Sequence, residues 1–444
     1  MVGCLVINRS QMIATSGPLT DGPNSMNSKH QSNAIWATMR EPNYWRYVVG
    51  NGLSLIGTWM QRIAVGWLTW ELTHSPTWLG LIAMADFFPV VFMGPLGGAL
   101  ADRFSRIRIM VLSQIVAAAC AISMFGLSIS GALTEWHLAI FTFLTGLALG
   151  LNQASRMALA PSLVPRELLT TAIAINSMVF NGARFVGPMI STAVISLWSI
   201  HYSFLINAVS YTALIIALLT LNIERREHRG SQGSSRSIID DIGEGFIFIK
   251  NHLPIRLVIV VMTMSALCLR PVVDLLPGLT SDVFGKGADE FAILTASFGV
   301  GAIGGGFWMA RWVGIEDQPV VALWGVIGSV GAGIAMVATT SYGVALPFTV
   351  AAGFAMVVSG IGMQSTLQLV TPPSMRGRVL SLYGVIHIGG AGIGAFVLGL
   401  AAEFMGLRLP IVGAAVIGAI IWYAVWRKRL VIVDSLKSET LGPQ

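Results

Sequence analysis

Two long apolar stretches of the chain are joined by Gly98-Ala99-Leu100-Ala101-Asp102-Arg103-Phe104-Ser105-Arg106-Ile107-Arg108. The junction holds one acid and three arginines in a connection too short to form a domain. A helix of roughly 20 mostly apolar residues crosses the hydrocarbon core of a bilayer. The sequence therefore predicts a charged loop at the inner edge of two membrane helices.

The overall composition also indicates a membrane protein. The 444 residues are 54% hydrophobic and 11% charged, with a mean hydropathy of +0.73, whereas soluble proteins carry about 25% charged residues. The net charge of +6 comes from bases in short loops, which argues against a nucleic-acid partner. We expect an all-α membrane protein whose surface lies largely in the lipid bilayer.

Apolar runs long enough to cross the membrane number about twelve. They lie near 46–70, 77–100, 107–130, 137–160, 168–195, 201–221, 254–278, 291–312, 319–340, 345–370, 377–402 and 408–427. The connector at 222–250 is charged and then rich in Gly and Ser, which is typical of a linker. We therefore predict two six-helix bundles at 44–221 and 251–430, joined by this linker. A disordered tail is predicted at 1–43, with Met26 and Met39 as alternative starts, and a second tail at 431–444.

Lysine and arginine positions predict the orientation of the chain, because these residues favour cytoplasmic loops. With a cytoplasmic N-terminus, 22 of the 27 bases lie in tails, inner loops or inner helix edges, and only Lys286 and Arg408 lie outside. We expect both termini in the cytoplasm and a location in the bacterial inner membrane. The remaining three bases lie within the spans: Arg62, Arg184 and Arg270.

The junction resembles the loop motif G-x-L-A-D-R-x-G-R-R of the major facilitator superfamily, which joins the second and third helices. Ser105 stands where that motif usually has glycine, and Ile107 where it often has a base. Further stretches resemble the enterobactin-exporter-like branch, also called transmembrane secretion effectors; they are 57–62, 156–167, 174–188 and 376–379. The resemblance implies the twelve-helix major facilitator fold and secondary transport by a monomer.

In that superfamily the acid of the loop motif contributes to a cytoplasmic gate at the start of the eleventh helix. Carried over, this implies a gate in which Asp102 faces Arg376-Gly377-Arg378, where bases and helix N–H groups favour a carboxylate. The gating motif then consists of Gly98, Asp102, Arg103 and Arg106. The alternative is that these charges only set the topology.

An internal repeat relates the two halves at a shift of a little over 200 residues. Arg62 and Arg270 are mates at a shift of 208, and Gln153 and Gln364 at 211. Transporters built from repeats bind substrate near the midplane between them. Because charge inside lipid is costly and normally faces a cavity or a partner, we expect at least one of the two arginines to line such a cavity.

Two acids lie at a similar depth. Asp274 follows Arg270 by four residues, so both share one face of a regular helix, although Pro271 and Pro277 interrupt it; Asp86 lies near the level of Arg62. One interpretation is that Asp86 or Asp274 takes up a proton and releases its arginine. The other is a permanent structural ion pair, since a buried pair alone proves neither.

The remaining candidates have two interpretations each. Arg184 joins the charged cluster or interacts with the bend predicted at Gly187-Pro188, a partial match to an antiporter motif that is equally consistent with a packing kink. His387 titrates near neutral pH or makes a neutral interhelical hydrogen bond. Gln153 and Gln364 line the inner cavity or pair with each other.

The sequence predicts an exporter that exchanges protons for a small organic molecule of the siderophore-like or drug-like class. Arginines in the cavity suit a carboxylate- or catecholate-bearing substrate. We expect no cofactor, no metal and no enzymatic activity: there is no Walker-type phosphate loop, and the three cysteines lack metal spacing. The alternatives are proton-coupled uptake, lipid or lysolipid transport, and a membrane sensor that does not transport.

Overall fold

The structure is a computed structural model that describes residues 34–222 and 238–441. Residues 1–33 of the predicted tail, residues 223–237 of the predicted linker and the last three residues lie outside the described residues. Twelve long helices dominate the described part of the chain. They are α1 (Pro42–Thr73), α2 (Pro76–Arg103), α3 (Arg106–Ile129), α4 (Glu135–Leu159), α5 (Leu169–Leu197), α6 (Tyr202–Leu219), α7 (Leu253–Val273), α8 (Ala288–Trp312), α9 (Gln318–Ala338), α10 (Tyr342–Val370), α11 (Pro373–Met405) and α12 (Arg408–Trp426).

Eleven of these helices are long and apolar enough to cross a membrane. The exception is α1, whose 32 residues are about 48 Å long at 1.5 Å per residue. Its hydropathy is lowered by buried polar residues, Asn51, Ser54 and Gln61. These side chains face other helices rather than lipid: Gln61 accepts a 2.7 Å hydrogen bond from Asn207 of α6, and Ser54 donates one to Gln114 of α3. The chain is therefore an all-α protein of the predicted twelve-helix class.

The seventh helix is irregular where the sequence places two prolines. It is α-helical from Leu253 to Met264, forms π turns over Ser265–Leu269 and continues as a 3₁₀ helix over Arg270–Val273. A proline lacks the N–H that an α-helix needs and clashes with the preceding turn. The segment from Arg270 to Asp274 therefore does not follow the α-helical period that would place both side chains on one face of a regular helix.

Helices also occupy parts of the predicted linker and tails. Residues 34–40 are helical, inside the segment predicted to be disordered. A linker helix, Ile238–Asn251, lies within the predicted flexible connector. A C-terminal helix, Arg429–Leu441, buries Ile432 and Leu436 against the second half of the molecule. These helices are too short or too polar to stand out as membrane spans, so the apolar pattern of the sequence does not predict them.

The two halves, α1–α6 and α7–α12, meet where α2 packs against α11 and α5 packs against α8. An even number of crossings brings both ends of the described chain to one face, here called the terminal face; the opposite one is the distal face. Contacts between the halves lie at the distal ends of these helices. Gly80 of α2 packs on the backbone of Phe396, and Glu403 of α11 accepts hydrogen bonds from Ser75 Oγ (2.6 Å) and Thr77 N (3.2 Å).

The distal closure also includes contacts of α8 with α5 and with α1. Ser196 of α5 donates a 3.2 Å hydrogen bond to Asp289 of α8. Trp67 of α1 stacks on Phe291 of α8 with ring centroids 5.6 Å apart. Buried aliphatic and aromatic residues from both halves form one continuous core around this stack. The halves are thus sealed together at the distal face.

Candidate functional site

A cavity of about 330 Å³ lies between the two halves, below the distal closure. Residues of α1, α2, α4, α5, α6, α7, α8 and α11 line it. It reaches toward the terminal face as far as Arg156, three residues before the end of α4. Its position between the repeats is the place where transporters of repeat construction bind their substrates.

An ion pair in this cavity joins the first two helices. The Arg62 guanidinium of α1 pairs with the Asp86 carboxylate of α2, and about a quarter of each side chain is exposed. The same guanidinium lies 4.2 Å from the centre of the Phe87 ring and 4.9 Å from that of Trp59. The Arg62 side chain is therefore held by a carboxylate and two aromatic rings at once.

Two more arginines extend this cluster across the interface between the halves. Arg184 of α5 lies 5.5 Å from the centre of the Trp59 ring, and Arg270 of α7 lies 5.6 Å from that of Phe87. Arg270 also donates a 3.1 Å hydrogen bond to the carbonyl of His387 on α11. The repeat mates Arg62 and Arg270 thus share the Phe87 ring, one from each half.

Asp274 lies in the same cluster. It lines the cavity and interacts electrostatically with Arg62, Arg184 and Arg270. Three guanidiniums and two carboxylates therefore share one low-dielectric chamber, where charges interact more strongly than in water. The arrangement can bind a charged group and can exchange ion-pair partners.

A fourth arginine, Arg156 of α4, lines the cavity near the terminal face. Its side chain is 9% exposed, donates a hydrogen bond to Gln153 Oε1 and lies 5.2 Å from the centre of the Phe180 ring. Arg156 begins the stretch 156–167 that resembles the family, but it was not predicted as a site residue, because a base near the end of a span is also typical of topology setting. Its place on the same helical face as Gln153, three residues away, was the available signal.

Comparisons with known proteins identify the family. A family model described as transmembrane secretion effector matches residues 33–443. The chain belongs to the transmembrane secretion effector family. It is therefore a multi-pass membrane transporter of the major facilitator superfamily, as the sequence motifs predicted.

Relatives of this transmembrane secretion effector are exporters or transporters by name. Macrolide efflux protein A of Streptococcus pyogenes is 23% identical over 390 residues, 83% of this chain and 93% of the relative. The enterobactin exporter EntS of Escherichia coli O1:K1 / APEC is 24% identical over 359 residues, 78% of this chain and 82% of the relative. The staphyloferrin A transporter of Staphylococcus aureus is 22% identical over 257 residues, 56% of this chain and 62% of the relative.

Solved structures share the fold of this transmembrane secretion effector. A bacterial homolog of the human lysosomal transporter Spinster, inward-facing and unoccupied, superposes with a TM-score of 0.68 at 15% identity, covering 89% of this chain and 98% of that one. A D-xylose–proton symporter gives 0.66 at 13% identity, covering 86% and 97%. At these identities the likeness establishes the fold alone.

Two predicted site residues of the transmembrane secretion effector, His387 and Gln364, are not among the residues that line the cavity. The His387 ring packs on Tyr383 at 5.2 Å. Gln153 lines the cavity, whereas its repeat mate Gln364 is exposed outside it. Neither of the two alternatives for this pair describes Gln364.

The predicted bend lies inside an uninterrupted helix. Pro188 is within α5 and lines the cavity, and Gly187 packs tightly on α1, where a Cβ atom would lie 2.9 Å from the Ile56 carbonyl oxygen. Close packing at this glycine is therefore part of the α1–α5 contact, directly beside Trp59. The cation–π contact of Arg184 with Trp59 joins this same region to the charged cluster.

The predicted gate is only partly described. The junction between α2 and α3 lies where predicted, with α2 ending at Arg103 and α3 beginning at Arg106, while the side chains of Gly98, Asp102 and Arg103 lie outside the description. At the start of α11, Arg376 donates to the Thr371 carbonyl (3.4 Å), and Arg378 pairs with Glu244 of the linker helix (2.9 Å). Within the described ranges, no group of three or more His, Cys, Asp or Glu side chains lies close enough to hold a metal ion.

Proposed function

We propose that this protein exports a small organic molecule in exchange for protons, by alternating access of the central cavity. The observation that carries the proposal is a charged cavity between two repeats that is sealed at the distal face and extends toward the terminal face. The distribution of bases favours a cytoplasmic terminal face. The structure then corresponds to an inward-facing state, in which an exporter takes up its substrate.

Two further observations support export of an organic substrate. Relatives that match most of this chain are named as macrolide and enterobactin exporters. Four arginines and only two acidic residues line the cavity. This excess of positive charge suits a substrate carrying a carboxylate, catecholate or similar group. Aromatic surface from Trp59, Phe87 and Phe180 adds a place for apolar or planar parts of the same molecule.

Proton coupling is assigned to the carboxylates of the cluster. A proton on Asp86 removes its charge and frees Arg62, and a proton on Asp274 changes the field around all three neighbouring arginines. In an exporter of this kind the acid is unprotonated when substrate is loaded and protonated when the empty site returns. Competition between proton and substrate for the same site is what makes the exchange obligatory.

The test is proton movement in energised everted membrane vesicles. Macrolides, siderophores, aryl acids and dyes are added in turn to vesicles with wild type, Asp86→Asn or Asp274→Asn, and with Asp317→Asn as control, since Asp317 lies in the α8–α9 turn away from the cavity. We expect substrate-dependent proton release with wild type and the control, and its loss in one cavity variant. Release unchanged in both cavity variants contradicts the assigned acids. If a compound accumulates inside the vesicles while no protons are released from them, that result contradicts antiport.

A further inference from the structure

A second polar surface lies in the cavity, away from the Arg62–Asp86 pair. One face of α4 presents polar residues at helical spacing, here called the α4 subsite. Its members that line the cavity are Asn152, Gln153 and Arg156 on α4 and Phe180 on α5. Positions that repeat at three, four and seven residues share one helix face, so these groups form a stripe along the cavity wall.

A polar atom of this stripe is buried without a partner in the described part of the chain. Asn152 is 4% exposed, and its side-chain oxygen makes no hydrogen bond to a described residue. Buried polar groups are normally satisfied, because an unmade hydrogen bond costs free energy. Because an amide oxygen accepts hydrogen bonds, this atom points to a ligand that supplies a donor such as a hydroxyl.

Arg156 is unlike the other three arginines of the cavity. Arg62 is paired with a carboxylate and Arg184 and Arg270 interact with Asp274, whereas the contacts of Arg156 within the described chain are Gln153, Phe180 and the electrostatic neighbour Tyr47. The Tyr47 phenol is itself buried and makes no hydrogen bond to the described part of the chain. A buried guanidinium without a carboxylate partner is costly and favours binding of an anion.

The α4 subsite is distant from the proton-coupling acids. Asp86 is level with Gly146, because a Cβ atom at Gly146 would lie 2.8 Å from the Asp86 carbonyl oxygen. Arg156 follows ten residues later, or about 15 Å along the helix at 1.5 Å per residue. The cavity thus has a mixed-charge end and an arginine–amide end.

This separation has a consequence for coupling. An anion bound beside Asp86 or Asp274 would raise the proton affinity of that acid and favour co-binding of proton and substrate, which is the coupling of a symporter. Because a Coulomb interaction falls with distance, an anion held at Arg156 has little effect on those acids. Exchange with protons is then compatible with an anionic substrate whose other end competes with the proton at the Arg62–Asp86 pair.

We propose that the α4 subsite binds the anionic group of the transported molecule together with a neighbouring hydroxyl, with Arg156 as the charge partner of the anion, the side-chain amides of Asn152 and Gln153 as hydrogen-bonding partners, and the Asn152 oxygen as the acceptor for the hydroxyl. The rest of the molecule extends along the cavity toward the Arg62–Asp86 end, with Phe180 against its apolar part. The substrate class is an elongated organic anion. This assignment rests on the proposed transport function for its biological meaning, although the binding surface itself can be tested without transport.

The experiment measures charge selectivity at Leu149, which lines the cavity one turn from Asn152 and two from Arg156. A Leu149→Cys variant, with Cys4, Cys120 and Cys268 replaced by serine, is purified and treated with an anionic sulfonatoethyl or a cationic trimethylammonioethyl methanethiosulfonate reagent. The ratio of the two modification rates cancels any change in thiol reactivity itself. We expect Arg156→Gln to lower the anionic-to-cationic ratio by about tenfold, and Arg156→Lys to preserve it.

Protection by a probe anion supplies the second readout. Salicylate at millimolar concentration should slow modification of Leu149→Cys by the neutral reagent methyl methanethiosulfonate, salicylamide should not, and the protection should be lost in Arg156→Gln. A rate ratio that is the same with arginine and glutamine, or equal protection by both probes, overturns the proposal. An unchanged thermal unfolding midpoint shows that each variant is folded. Neither readout requires transport, so failure of the proposed export leaves this test interpretable.

Discussion

At the scale of single residues, the molecule is organised around Arg62. Its guanidinium pairs with Asp86 and lies on the rings of Phe87 and Trp59. Those rings are shared with Arg270 and Arg184, so a change at Arg62 alters the surroundings of both other arginines. This is the physical basis for treating the cluster as one unit rather than as separate charges.

Removing Arg62 alone should be worse for stability than removing the whole pair. Arg62→Leu leaves Asp86 charged and unpaired in the cavity, whereas the double variant Arg62→Leu/Asp86→Leu leaves two apolar side chains. Because the Asp86 carboxylate then lacks the guanidinium that offsets its lost hydration, the single variant should be less stable than the double variant by about 1–3 kcal/mol. The measurement is the unfolding midpoint of each purified protein. A double variant less stable than both single variants would contradict this account of the pair.

The His387 side chain should matter less than its backbone. The carbonyl of residue 387 accepts the hydrogen bond from Arg270, while the imidazole packs on Tyr383 away from the cavity lining. His387→Phe keeps the carbonyl and the ring packing, so we expect the pH profile of transport to be unchanged within about a factor of two in rate. The check is transport rate against pH in wild type and variant. A profile displaced along the pH axis would show that the imidazole titrates in the cycle.

The charged cluster was partly predictable from the sequence, and the reasons for its limits are physical. Ionisable residues inside apolar runs stand out, and the repeat shift pairs Arg62 with Arg270; the structure brings both to one ring. Arg156 was not predicted as a site residue, because a base close to a helix end is also expected from topology alone. His387 was interpreted by its side chain, but the backbone conformation that presents its carbonyl to Arg270 is a tertiary property.

At the scale of helices, glycines determine how closely the two halves approach. Gly80 and Gly392 lie where α2 and α11 pack: an added Cβ atom at Gly80 would clash with the Ala395 backbone, and one at Gly392 would lie 3.2 Å from the Phe87 Cβ atom. Gly399 packs directly on the Pro76 backbone at the distal end of the same pair. Small residues let membrane helices come close enough for backbone contact, so these glycines stabilise the state that is closed at the distal face.

A side chain at Gly399 should open the distal face. A Cβ atom there would clash with the Pro76 carbonyl, and its next contact would be the Pro76 carbonyl carbon at 3.1 Å. Gly399→Val should therefore disfavour the closed state by about 1–3 kcal/mol. The measurement is the yield of disulfide cross-linking between Ser75→Cys and Glu403→Cys, which should fall in the variant.

Two other glycines serve as matched controls for this substitution. Gly413 of α12 has no heavy atom within 4 Å of a Cβ position, so Gly413→Val should leave cross-linking unchanged. Gly301 of α8 packs on Val350 of α10 within one half, so Gly301→Val should lower the yield of folded protein instead. Undiminished cross-linking in folded Gly399→Val would contradict the role given to the α2–α11 contact.

Helices were predictable where the hydrophobic effect alone selects them. Apolar runs gave the positions of the twelve long helices, including α1, whose buried polar residues make it less apolar than the other eleven. The linker helix was missed because its 14 residues include several charges, and its stability depends on contacts such as Glu244 with Arg378. The irregular turns of α7 follow from prolines visible in the sequence, but their exact form depends on packing.

At the scale of the whole molecule, the two halves enclose one cavity and are sealed together at one face. In the structure, α2–α11 and α5–α8 contacts hold the distal ends of the halves. Movement of one half against the other about the cavity is the expected route by which a repeat transporter exposes its site to each side in turn. Whether protons drive that movement is the central claim of the proposed function.

The most direct test of that claim is substrate movement driven by a proton gradient alone. The purified protein is reconstituted in liposomes loaded at acidic pH and diluted into neutral buffer, with a radiolabelled macrolide or metal-free catecholate siderophore outside. We expect wild type to accumulate the compound inside as protons leave, an ionophore that collapses the gradient to abolish this, and loss of a coupling acid to leave only equilibration. Accumulation that persists without a proton gradient, or that requires the opposite gradient, would contradict proton antiport.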